Sequence, residues 1–78
     1  MEAIDAEILQ QLDRVERKEL TVEQFEDWFV PRTWGHRTKL AAELDLTLAE
    51  KSLLTEDQLI AELLYYAREV VPEYAPTA

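Results

Sequence analysis

Two short stretches, "LTVEQF" at 20–25 and "LTEDQL" at 54–59, share one layout and fix where helices can begin in this chain. In each, a threonine (Thr21, Thr55) can accept from the amide three residues on, and a glutamine (Gln24, Gln58) can reach back to the threonine's own amide. An apolar residue stands immediately before each threonine and another four residues after it: Leu20 with Phe25, and Leu54 with Leu59. Such a pair clamps the chain where it enters a helix. These are strong local start signals, and the apolar periodicity between and around them supplies the other helices.

Ahead of the first signal, residues 2–19 place Met1, Ile4, Ile8, Leu12 and Val15 in one arc of a helical wheel, with charges filling most of the rest. This predicts an amphipathic first helix. The second helix is expected from Val22 to about Phe29. Val30 precedes Pro31, and a residue before proline is biased away from helical geometry, so the helix should stop there. Residues 37–53 predict a third helix with two apolar stripes. Leu40, Ala41, Leu44 and Leu48 form one, and Ala42, Leu46, Ala49 and Leu53 form the other on a different side. Two stripes imply a helix sandwiched between neighbours or set in a subunit interface. Sandwiching by the first and fourth helices is expected, which favours a monomer over a homodimer. The fourth helix runs from the second start signal to Val71, before Pro72, with Leu59, Leu63, Tyr66 and Val70 beside Ile60, Leu64, Ala67 and Val71. The tail "EYAPTA", residues 73–78, is expected to fray. The 34-residue spacing of the start signals echoes helical repeats, but the large-and-small residue pattern of tetratricopeptide units is absent. The expected fold is all-α, a compact four-helix protein of two helical hairpins with a short second helix, spanning 1–78 as a single domain.

The 78 residues are 47% apolar and 32% charged, a globular balance. Net charge is −9. A field of that sign repels phosphate backbones, so no direct nucleic-acid binding is expected. It can also steer association with a basic partner, the alternative being simple solubility. The longest apolar run, "LLYYA", falls far short of the roughly 20 residues a membrane span requires. The start "MEAIDAEIL" is acidic and lacks the basic opening of a secretory signal. A cytoplasmic protein with no membrane partner is the expectation.

Most site chemistries lack their residues. There is no cysteine, one histidine, one serine and one glycine. That leaves no thiolate, no Glu-x-x-His pair for a metal in a bundle core, and no glycine-rich phosphate cradle. Ser52 stands beside Lys51, where helix geometry points the two apart. His36 is expected as a solvated turn residue. No catalytic, metal or cofactor residue is assigned, and an enzyme is not expected.

Residues 25–34, "FEDWFVPRTW", hold both tryptophans and both phenylalanines. Phe25 and Phe29 are expected in the core, since short helices need bulky side chains between them. Trp28 and Trp34 are read first as core rings, gluing the second helix and its exit to the body, with exposed binding rings as the alternative. Gly35 is expected to permit the turn that follows. On the fourth helix, Tyr65 falls in the polar arc near Glu62 and Glu69. An outward tyrosine on an acidic helix is an interface signal. Candidate partner-binding residues are therefore Tyr65, Glu62, Glu69, Trp28 and Trp34.

The run Phe25-x-x-Trp28-Phe29-Val30-Pro31-x-Thr33-Trp34, preceded by Leu20-Thr21, resembles a group of small, uncharacterised bacterial helical proteins, and this resemblance implies a helical fold without an activity. The short, acidic, all-helical form also looks like the immunity proteins against tRNA-cleaving colicins. That likeness implies a non-enzymatic protein that masks a basic protein surface, as an immunity protein, antitoxin or inhibitor does; it transfers no binding residue. The alternative is a structural or regulatory module that self-associates through the second stripe of the third helix.

Overall fold

In the computed structural model, which describes residues 2–36 and 38–74, the chain forms four α-helices and one 3-10 turn: α1 Ala3–Glu16, α2 Val22–Thr33, α3 Lys39–Ala49, the turn Lys51–Leu53, and α4 Glu56–Val70. α3 packs most extensively on α4, and α1 bridges α2 and α4. The whole is a four-helix, all-α globule with a radius of gyration of 11.3 Å.

Both start signals operate as the residues dictate. Gln24 donates its amide to Thr21 Oγ1 at 3.0 Å, and the Thr21 amide donates to Gln24 Oε1 at 3.0 Å. Around Thr55 the same two bonds measure 3.1 and 3.0 Å. Each box satisfies an amide at the helix start that has no intrahelical partner. A third cap, Thr38, starts α3 at Lys39, later than the apolar periodicity predicts. Its hydroxyl accepts from the Ala41 amide at 3.1 Å and donates to Asp5 Oδ1 at 2.6 Å, tying the start of α3 to the start of α1. Residue 37, the expected first position of that helix, lies outside the described residues, as does Met1.

Three helix ends differ from the expectation, each for a reason outside the helix's own periodicity. α1 stops at Glu16 instead of 19. Lys18 adopts φ 65°, its amide donates to the Val15 carbonyl at 3.1 Å, and the Glu19 amide donates to the Arg14 carbonyl at 2.8 Å. This pair of bonds closes a helix end around a left-handed residue, and it frees Leu20 to reach the core and Thr21 to cap α2. α2 continues through Pro31 to Thr33. Proline in the last turn removes one bond, the one to the Asp27 carbonyl. Asp27 and Pro31 are both exposed, so water can serve that carbonyl and the ring strains the solvent side only. Thr33 Oγ1 donates to the Phe29 carbonyl at 2.7 Å, and Arg32 forks onto Glu7 of α1 with contacts of 2.7–3.0 Å. These bonds hold the last turn helical. α3 stops at Ala49, and the tighter turn Lys51–Leu53 brings Leu54 into extended geometry ahead of the Thr55 cap. Lys51 pairs there with Glu26 of α2.

The core is one cluster. α1 contributes Ile4, Ile8, Leu12 and Val15; α2 contributes Val22, Phe25 and Phe29; α3 contributes Leu40, Ala41, Leu44 and Leu48; α4 contributes Leu59, Leu63 and Ala67, with Val71 just beyond it. The Phe25 and Phe29 rings stack with centroids 5.4 Å apart. Thr47 is buried among them and donates its hydroxyl to the Glu43 carbonyl at 3.0 Å, so no polar group is left orphaned there. Within the tail expected to fray, Tyr74 packs against the core cluster; residues 75–78 lie outside the described residues.

Candidate interaction surfaces

The second stripe of α3 is not covered. Ala42 and Ala49 are exposed, Leu46 is 65% exposed and Leu53 is 80% exposed. The expected sandwich between α1 and α4 does not form, because those helices spend their apolar arcs on the first stripe and on each other. α3 packs chiefly on α4 and buries Leu40, Ala41, Leu44 and Leu48, and its opposite side faces solvent.

Trp34 joins this face. It caps the C-terminal end of α2 and is 81% exposed, so it does not glue the helix exit to the core. It shares a shallow depression with Val30, itself 43% exposed, and with Ala42, Asp45 and His36. His36 is a solvent-exposed turn residue, with its amide donated to the Thr33 carbonyl at 2.9 Å. Gly35 has no positive φ, and a Cβ added to it would meet nothing within 4 Å. The turn therefore does not depend on glycine, contrary to the expectation. Helical continuation past Pro31 sets the position of Trp34: two further residues of helix carry the ring past the edge of the core.

Trp28 behaves differently. It is half-buried, packed on the core cluster, with its ring 6.1 Å from that of Phe25. The structure thus separates the two tryptophans, one at the core margin and one on the α3 face.

The third group lies on α4. Glu62, Tyr65 and Glu69 stand at i, i+3 and i+7, on one helix face. Tyr65 is 54% exposed; Glu69 is exposed and Glu62 half-buried. The Tyr65 ring meets Tyr66 edge-on at 5.2 Å. Hydrogen bonding to Glu69, and then the charge of that carboxylate, raise the Tyr65 phenol above its ordinary pKa. Tyr65 and Glu69 also border a depression with Lys39 and Glu43 of α3.

Among the described residues, five cations are held by the chain's own carboxylates: Arg14 by Glu19, Arg17 by Asp13 and Glu19, Lys18 by Asp57, Arg32 by Glu7 and Lys51 by Glu26. Glu23, Asp27 and Glu56 are exposed around a separate depression between α2 and α4. Among the described residues no three histidine or acidic side chains converge as metal ligands would, and no helix is long and apolar enough to cross a membrane.

One buried polar feature was not legible in the sequence. Glu16 Oε1 and Tyr74 Oη are buried without a hydrogen-bond partner. Burial first, then the charges of Glu16 and Asp13, push the Tyr74 phenol up to about 12. Only the fold brings position 74 against the end of α1. Comparison with protein-family models, with curated proteins and with solved structures finds no match for this chain.

Proposed function

We propose that this protein is a non-enzymatic interaction protein that docks its acidic surface on a basic protein surface, in the manner of an immunity protein, antitoxin or other inhibitor. One observation carries the reading: among the described residues five cations are spent on internal ion pairs, while the α4 face presents Glu62 and Glu69 around an exposed tyrosine. Distributed carboxylates accelerate encounter with a positive partner, and an aromatic ring among them supplies contact area with few rotors to immobilise. The cytoplasm is the compartment that fits this role.

The experiment is capture from a lysate of the source organism at low and high ionic strength, with wild type and two variants. A basic protein is retained by wild type near 0.05 M salt and released near 0.5 M, where charge attraction is screened over a few ångströms. Tyr65→Ala and the double variant Glu62→Lys/Glu69→Lys lose most of the capture while keeping the wild-type melting temperature. Capture that ignores both salt and these substitutions refutes the acidic-face reading.

A further inference from the structure

We infer that this chain forms a symmetric homodimer in which two copies of α3 pack antiparallel through its exposed residues Ala42, Leu46 and Ala49, extended by Leu53 of the following turn and by Trp34 and Val30. The inference stands apart from the acidic-face reading and concerns a different side of the molecule.

Three observations name a second copy as the occupant. The first is self-complementarity. The strip alternates small and large, Ala-Leu-Ala-Leu, with intervals of four, three and four residues. That order of intervals is the same in either direction. Run antiparallel against itself, α3 sets Leu46 opposite Ala49 of the other copy, while Leu53, on the turn that follows α3, extends the patch toward the Ala42 end. Leu46 of each copy meets the methyl-sized gap at Ala49 of the other, and a two-fold interface requires a patch that fits itself in this way.

The second is charge. Two copies at net −9 repel, so a shared interface must avoid the acidic faces. By sequence, residues 35–53 carry as many basic as acidic residues, the least acidic stretch of the chain. The exposed apolar strip lies in this least acidic stretch, where repulsion between two copies is smallest. Dimerisation there leaves the α4 faces free.

The third is area. From the exposures of Trp34, Leu53, Leu46 and Val30, with the two alanines, the face offers about 600 Å² per protomer and about 1,200 Å² for a pair, the lower bound of a specific interface. A patch of that size is at the upper end of what a soluble monomer leaves open.

The test is sedimentation equilibrium together with circular dichroism and cysteine cross-linking. Wild type sediments at twice the 9.1 kDa protomer mass at tens of micromolar, and added salt keeps or tightens the dimer. Leu46→Glu and Leu53→Glu, both at exposed positions, keep the wild-type helical spectrum and sediment as protomers, with association weakened at least about 100-fold by the buried carboxylates. Because the chain has no native cysteine, register can be read directly. Protein carrying Leu46→Cys, oxidised with protein carrying Ala49→Cys, gives the mixed cross-link in excess over either self cross-link. A wild type that sediments as a protomer up to millimolar concentration overturns the inference. So do glutamate variants that remain dimeric, a dimer that salt dissociates, or self cross-links at 46 that dominate.

Discussion

Replacing Lys18 with glycine reverses sign depending on where α1 ends. The periodicity of residues 2–19 extends the helix through position 18, where Lys18→Gly would remove a good helix former and destabilise by about 1 kcal/mol. The structure instead places Lys18 at φ 65°, in the left-handed region, between the closing bonds Lys18 N–H to Val15 O and Glu19 N–H to Arg14 O. A side chain there carries roughly 1–2 kcal/mol of strain from its Cβ, and glycine relieves it. Against this stands the extra entropy glycine loses on folding, roughly 0.5–1 kcal/mol. The Lys18–Asp57 ion pair, 3.7 Å long and with both side chains mostly exposed, contributes next to nothing. The net expectation is a gain of about 0.5–1 kcal/mol. For a chain of this size that is a rise of roughly 3–6 °C in melting temperature. The assay is paired urea and thermal unfolding followed at 222 nm, with Lys18→Ala as the control. Alanine keeps the Cβ and its strain, so it should lie within about 0.5 kcal/mol of wild type. A destabilised glycine variant, or an alanine variant that gains as much as glycine, refutes the left-handed closure of α1.

Thr21→Ala and Thr55→Ala should each lower stability by about 1 kcal/mol, since each leaves a helix-start amide without its acceptor; unchanged denaturant midpoints would contradict both caps. Tyr74→Phe should be neutral or stabilising, because it removes a buried hydroxyl that has no partner. The same residue sets an alkaline limit. Its folded pKa, about 12, lies above the ordinary 10.0, so the neutral phenol favours folding below pH 10 and that contribution is lost as pH rises from about 10 to about 12. Equilibrium unfolding across that window should show a shallower decline for Tyr74→Phe than for wild type, and parallel curves would contradict the burial of the phenol.

Where helices begin was legible because a cap is a contact over three residues: Thr21 with Gln24, and Thr55 with Gln58, carry the whole interaction inside one short stretch. The first-stripe residues of α3 and the inward residues of α1 and α4 were legible for a similar reason, since one helix's periodicity states which side is apolar. Tyr65 could be placed outward on the same ground. Periodicity does not state whether an apolar side is covered. Ala42, Leu46, Ala49 and Leu53 read as a second buried stripe, and only the seating of α3 on α4 leaves them bare. Proline's local preference did not end α2, because Arg32 found Glu7 twenty-five residues away and Thr33 took the Phe29 carbonyl; with that turn kept helical, Trp34 was carried out to solvent. Lys18 took a strained backbone because Leu20 had to reach the core, and Tyr74 was held against Glu16 by a contact that closes only when α4 lies along α1. Local hydrogen bonds and side-chain spacing set the helices; which faces meet, and which remain open for a partner, was decided by contacts between residues far apart in the chain.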